Sequence, residues 1–251
     1  MNIVPGKPCS IFAQGKRDNM EDFIFPEHGT AEESDRFFIV CDGMGGHNKG
    51  ETASRLAARG FAGYFAQHSS GNISEQYFKD AFLHVEQLFD NYLDEHKEAH
   101  GMGTTLVMIY FMHDTAFVTH CGDSRCYHFR GAELLWRTSD HVLAEEWVRQ
   151  GRITAEEAGK YAKSNVITRA IQGYKTLKVE PDIGKINDIK PGDYFLLCSD
   201  GIYESLTDLQ LCEIFASNTS AGEKIQIIEE LCEGNSRDNY SAYLLNIIDA
   251  D

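Results

Sequence analysis

The sequence predicts an α+β layered domain, on three observations. Strand-like runs are short and rich in β-branched or aromatic residues, helical runs carry apolar residues at steps of three and four, and the two kinds come in blocks without a regular β-α-β alternation. Several strand runs alternate only imperfectly between apolar and polar residues, which predicts sheets covered on both faces.

In chain order, a strand is expected at residues 36–41 and a helix at 50–68. A second helix follows at 74–98, because Tyr77, Phe78, Ala81, Phe82, Val85, Leu88, Phe89, Tyr92 and Leu93 recur on one helical face. That stripe reads as core. Strands are expected at 104–111, 115–121 and 125–129, helices at 142–150 and 154–161, a strand at 194–198, helices at 207–216 and 220–232, and a last strand at 242–248. T-A-E-E from Thr154, T-D-L-Q from Thr207 and S-A-G-E from Ser220 are capping boxes: the first side chain accepts from the third helical amide and the Glu or Gln reaches back. No repeat, low-complexity tract or linker interrupts the chain, so one domain over 1–251 is the simplest organisation.

The 251 residues are 42% hydrophobic, enough for one sizeable core or two small ones, which excludes disorder for the bulk. A net charge of -16 and no basic run exclude nucleic acid as a partner, since binding a phosphate backbone needs clustered Lys and Arg. No apolar stretch approaches the roughly 18 residues that span a bilayer, and residues 1–10 lack the apolar centre of a signal peptide. A cytoplasmic protein is expected. The cysteines agree: Cys9, Cys41, Cys121, Cys126, Cys198, Cys212 and Cys232 form no C-x-x-C pair, and most sit in apolar runs, as small buried hydrophobes do in a reducing compartment.

The chemistry is signalled by where aspartates fall. F-F-I-V-C runs into Asp42-Gly43, F-L-L-C-S runs into Asp200-Gly201, and F-V-T-H-C ends in Gly122-Asp123. Desolvating an unpaired carboxylate costs several kcal/mol by any estimate, so buried strands that end in carboxylates and meet need something positive between them. Glu21, Asp22 and Asp238 enlarge the set, and no H-x-x-x-H or C-x-x-C pair lies near any of them. All-oxygen ligands select a hard divalent ion, Mg²⁺ or Mn²⁺. Each Asp-Gly alone is also a common turn dipeptide; their joint occurrence after apolar strands shifts the balance.

Seven ordered motifs carry a resemblance: R-D-N-M-E-D (17–22), D-G-M-G-G-H-N-K-G-E (42–51), G-T-T (103–105), G-D-S-R (122–125), S-D-H (139–141), C-S-D-G (198–201) and R-D-N (237–239). Together they resemble the metal-dependent, type 2C protein phosphatases over about residues 14–248. The resemblance implies a four-layer αββα sandwich, two mostly antiparallel sheets flanked by pairs of helices. It also implies hydrolysis of phosphoserine and phosphothreonine in proteins by direct attack of a water or hydroxide shared by two Mg²⁺ or Mn²⁺ ions, without a covalent enzyme intermediate.

Residue by residue, the resemblance makes Asp42 the ligand shared by both ions and Gly43 the donor of a carbonyl to one of them. Asp200 and Asp238 complete the first ion's shell. Glu21 binds the second ion directly or through water, with Asp22 behind it, and Asp123 serves a third, weaker ion together with Asp200. Arg17 grips the substrate phosphate, a planar fork of donors for which Lys is a poorer substitute. Phosphorylated Ser/Thr proteins and an opposing Ser/Thr kinase are the implied partners, and a monomer is expected.

Two departures stand out. The histidine of the D-G-H-G-G found in many eukaryotic relatives, their proposed general acid, is Met44 here, and a thioether donates no proton. His47 either substitutes for it or orders the loop into the next helix. Met20 replaces the Asn often found in bacterial relatives and resembles the eukaryotic version. His96 and His100, four apart, read as a solvated pair near a helix end, and His141 as structural. Residues 150–173 resemble the family's flap and are assigned to substrate selection, although its usual His-Pro is absent. Two alternatives share the fold: a phosphatase dedicated to one regulatory partner, such as an anti-sigma-factor antagonist, and a catalytically silent binding module.

Overall fold

The computed structural model describes residues 3–45, 49–69, 73–158, 166–173 and 178–250. Among these, two antiparallel sheets stack between helices. One sheet runs β1 (Ile3–Pro5), β12 (Tyr240–Ala250), β11 (Asp193–Cys198), β8 (Arg125–Arg130) and β9 (Glu133–Arg137), with β2 (Cys9–Ala13) pairing the first half of β12. The other runs β10 (Asp182–Ile186), β7 (Thr115–Cys121), β6 (Leu106–Met112), β4 (Phe37–Met44) and β3 (Asp22–Phe25), with β5 (Gly103–Thr104) pairing the end of β4.

Both faces of each sheet are dry, which is why the strands alternate poorly. Between the sheets, Phe38, Val40, Val107 and Ile109 from one meet Phe195, Leu197, Tyr243 and Leu245 from the other. The opposite face of the second sheet packs on α1 (Lys49–Gln67) and α2 (Glu75–Glu95), whose Ala57, Phe61, Phe78, Phe82 and Phe89 form one cluster with Ile39 and Met108. Gly60 brings these two helices together: a Cβ there would lie 2.9 Å from Leu88 Cδ1. The first sheet packs on α6 (Asp208–Ala216) and α7 (Ala221–Asn235) through Leu211, Phe215, Ile225 and Ile228. The four layers are therefore α, β, β, α.

The helix expected at 142–150 is α3 (Leu143–Arg149); the capping boxes at Thr207 and Ser220 form as expected, and Thr154 and Glu157 exchange the same pair of bonds ahead of α4 (Ala155–Ala158). The second expected helix contains its whole apolar stripe but is shorter than the expected 74–98. It ends at Glu95, His96 stacks on Tyr92, and a 3₁₀ turn follows at Lys97–Ala99, so His96 and His100 do not share a helix face. Six of the strands described were not expected as strands of their own. β1, β3, β9 and β10 are sheet edges, short and only partly apolar, β2 covers half of an edge, and β5 is a two-residue pairing with the end of β4. The cysteines are all free, and all but Cys9 and Cys212 are buried. No helix of the described residues is long and apolar enough to cross a membrane.

Candidate active site

A cleft of about 540 Å³ opens where strand ends of the two sheets converge, lined by Arg17, Glu21, Asp42, Gly43, Asp200 and Asp238 among others. Asp42 and Gly43 stand near the end of β4, and Asp22, which opens β3, is Asp42's direct partner in the antiparallel register. Asp200 follows β11 and opens α5 (Asp200–Tyr203), while Asp238 lies just before β12. Asp123 occupies the turn between β7 and β8; it and Asp22 are buried and do not line the cleft. All the carboxylates expected from the sequence thus come to one edge of the sandwich.

Backbone contacts fix them there. Thr104 and Thr105 clamp Asp42: the Thr105 amide and the Thr104 hydroxyl both donate to the Asp42 carbonyl at 2.9 Å, and Thr105 Oγ1 accepts the Asp42 amide at 2.9 Å. The Gly43 amide donates to the Glu21 carbonyl at 3.1 Å, and there is no room for a side chain, since a Cβ on Gly43 would lie 2.1 Å from the Gly50 carbonyl oxygen. Gly201 is confined equally, 2.1 Å from the Asn239 carbonyl oxygen by the same measure.

Sequence reasoning missed Asn239. Its Oδ1 accepts the Glu21 amide at 2.8 Å, and its Nδ2 donates to the carbonyls of Gln14 at 2.7 Å and Asn19 at 2.9 Å. One buried side chain therefore shapes the loop that carries both Arg17 and Glu21. Its place beside Asp238 was a signal; the long-range bonds were not visible in one dimension. Ser199, another omission, donates its hydroxyl to Asp22 Oδ2 at 2.7 Å.

The charges repel as the strand ends foretold. Burial, reinforced by Asp22, Asp200, Asp123 and Asp238, lifts the Asp42 carboxyl well above its ordinary range. Burial first and Asp123 and Asp238 next push Asp200 up to about 8, and Asp22 is raised to about 7 by burial despite the bond from Ser199. Asp123 rises to about 6 through burial and Asp140. Glu21 is raised too, by burial, with Arg17 opposing.

These residues fit divalent ions. Besides the all-oxygen donor set, Asp200 Oδ1 is a buried oxygen with no hydrogen-bond partner, which is costly unless a cation takes it. Arg17 lies at the rim, 54% exposed, with a guanidinium nitrogen 2.5 Å from Asp238 Oδ2. Met44 and Ile167 contribute apolar lining, Ile167 from within the expected flap. His47 and residues 159–165 lie outside the described residues.

Two stacked sheets with helices outside, meeting at a carboxylate cleft beside an arginine, define a metal-dependent phosphate-ester hydrolase. The chain matches the family described as Protein phosphatase 2C over residues 10–239. It is similar to protein phosphatase PhpP of Streptococcus pneumoniae, 31% identical over 239 residues that cover 94% of this chain and 95% of the relative. Among solved structures it resembles the Mycobacterium tuberculosis serine/threonine phosphatase PstP/Ppp, with a TM-score of 0.85 at 29% identity, covering 98% of this chain and 100% of the other. It also resembles the catalytic domain of PstP in complex with two manganese ions, with a TM-score of 0.79 at 28% identity, covering 98% and 100%. This chain belongs to the protein phosphatase 2C family and is a metal-dependent serine/threonine protein phosphatase that acts on phosphoproteins with Mg²⁺ or Mn²⁺ as cofactor. Neither the silent-module reading nor the dedicated-partner reading is favoured.

Proposed function

We propose that Asp42 is the ligand common to two divalent ions, that Asp200 and Asp238 complete the shell of one, and that Glu21 serves the other with Asp22 behind it. The Gly43 carbonyl is a further ligand, and Asp123 with Asp200 holds a third, weaker ion. When bound, such ions polarise a phosphate ester and make water a competent nucleophile at neutral pH. The chain's own work is to hold and orient. Asp22, buried and bonded by Ser199, supplies negative charge to the cluster from behind the cleft. Arg17 presents two guanidinium donors at the rim to the phosphate oxygens, within reach of Asp238. Met44 leaves proton delivery to the leaving alkoxide to another group.

The observation that carries these roles is the unpartnered, buried Asp200 Oδ1 within a carboxylate cluster whose members raise one another's pKa values. The test is hydrolysis of a phosphothreonine peptide beside a calorimetric Mn²⁺ titration. Chelator treatment is expected to abolish turnover and Mn²⁺ to restore it; full activity after chelation, or tight Mn²⁺ binding unaffected by Asp42→Asn, refutes the ligand set.

The chain is organised as one catalytic domain over 1–251 with residues 150–173 as a flap, whose exit segment contributes Ile167 to the cleft wall and selects substrates. Free cysteines, mostly buried, support work in the reducing cytoplasm; a monomer and an opposing Ser/Thr kinase belong to the same proposal through the resemblance alone.

A further inference from the structure

His120, His141 and Asp182 bring three potential ligand atoms within 4.8 Å of one another, and none of the three lines the catalytic cleft. Their hydrogen bonds argue against a metal there. The Gly122 amide donates to His141 Nδ1 at 3.1 Å, so Nδ1 must present its lone pair. In a neutral imidazole the proton then sits on Nε2, the atom that lies 3.4 Å from Asp182 Oδ2, and a protonated nitrogen cannot ligate a metal. The ring is neutral at physiological pH: burial, with His120 and Arg169 adding, lowers its pKa to about 4. Arg169 Nη1 donates to Asp182 Oδ1 at 2.8 Å and also lies 3.4 Å from His141 Nε2, a contact that is no hydrogen bond when Nδ1 accepts from Gly122 and Nε2 carries the proton; His120 stacks on His141 while its own Nε2 donates to the Ser139 carbonyl at 2.9 Å.

What the arrangement does instead follows from its backbone. His141 saturates Gly122: its ring takes the Gly122 amide, and its own amide donates to the Gly122 carbonyl at 2.9 Å. Gly122 has φ +106 and no space for a Cβ, which would come 2.7 Å from Thr105 Cγ2, so the turn that presents Asp123 requires glycine there. On its other side, the His141 carbonyl accepts the Thr168 amide at 2.8 Å, and its neighbour Val142 bridges to Ile167 in the cleft wall.

We propose that His141, as the Nε2–H tautomer, is a positioning residue that ties the Gly122–Asp123 turn to the cleft-wall segment at Ile167 and Thr168, so that the weaker metal site and the wall against which substrate rests share one frame. The metal half of this inference rests on the reading of Asp123 as a ligand. Asp182 and Arg169 hold the Nε2 side of the ring, leaving Nδ1 aimed at Gly122.

The test uses two substitutions that each keep one half of the imidazole. In His141→Asn the amide oxygen can replace Nδ1 as acceptor; in His141→Gln the amide reaches only the Nε2 position. Amide exchange at Gly122, Mn²⁺ titration by calorimetry and KM for a phosphothreonine peptide at saturating Mn²⁺ are measured on both. His141→Asn is expected to keep Gly122 protected and the Mn²⁺ isotherm close to wild type. His141→Gln is expected to unprotect Gly122, weaken the weakest Mn²⁺ site by about tenfold and raise KM. Gly122 protection unchanged in His141→Gln overturns the proposal, as do Mn²⁺ isotherms and KM values that match wild type in both variants despite a lowered Tm. So does a Zn²⁺ equivalent lost in His141→Asn but not in Asp42→Asn. If His141→Gln does not fold, the ¹⁵N spectrum of His141 in the wild type decides: a proton on Nε2 supports the proposal and one on Nδ1 refutes it. Asp123→Asn tests the ligand assignment separately, because an unchanged Mn²⁺ isotherm in that variant removes the ligand role of Asp123, while Gly122 exchange continues to report on the tie.

Discussion

Asp22 and Asp42 face each other across β3 and β4, two aspartates in one antiparallel register pair, with Ser199 bonded to the first and Thr105 to the backbone of the second. Like charges opposite one another destabilise a sheet. The pair therefore marks a place where the fold gives up stability, as the proposed cation site at Asp42 requires.

Asp42→Asn should abolish turnover and remove tight Mn²⁺ binding, yet raise the melting temperature of the chelator-treated protein, because one of several mutually repelling carboxylates is gone. Asp123→Asn should spare the tight sites and raise the Mn²⁺ concentration needed for half-maximal activity. Calorimetry and thermal melts on both variants check the ranking; equal loss of the tight sites contradicts it.

Arg17→Ala should raise KM for a phosphopeptide by roughly 10- to 150-fold, the equivalent of a charge-assisted contact worth about 1.5–3 kcal/mol. Metal affinity should not fall, since the guanidinium only neighbours Asp238. Steady-state kinetics at saturating Mn²⁺ separate this from a solvated arginine, which would leave KM at the wild-type value.

Gly43→Ala should destabilise the fold by about 1–3 kcal/mol and weaken metal binding, because the new methyl group meets backbone oxygens of Gly50 and Glu21 at 2.1 and 2.5 Å. Denaturant melts in chelator and with Mn²⁺ read the two effects. A neutral outcome would mean that the β4 end shifts freely.

Acid stability should depend on Asp193, far from the cleft. Burial alone would raise its pKa, but bonds from His128, from Arg130 and from the Lys190 amide outweigh burial and hold it at about 2. A depressed carboxylate stabilises the fold above its unfolded pKa near 4 and loses that contribution, on the order of 2 kcal/mol, as pH falls toward 2. Asp193→Asn should therefore lower stability at neutral pH and flatten the acid limb of the pH–stability curve. Parallel acid limbs in the two proteins would contradict this.

Legibility in the sequence followed burial and spacing. The α2 stripe and the capping boxes at Thr207 and Ser220 are local patterns, and each appears in the fold. The aspartates after apolar strands were legible because buried carboxylates break a strong rule. Edge strands such as β10, with a glycine and an exposed lysine, break no rule and carry no periodicity. Asn239 and Ser199 act through bonds to residues about two hundred positions away, and Glu86 and Asp90 are buried on the apolar helix α2, held there by the Val179 amide and Lys178; no local pattern encodes such partners.

The cleft draws Glu21 and Asp42 from before α1 and Asp238 from the approach to β12, so the proposed ligands come from opposite ends of the element order. A nascent chain that has emerged as far as Asp200 carries only part of the set, and β2, which leads into the Arg17 loop, still waits for β12 to pair with. A chain cut before β12 would lack one proposed ligand if the cut also removes Asp238, and would leave β2 without its pairing strand in either case, so it is expected to show no dephosphorylation.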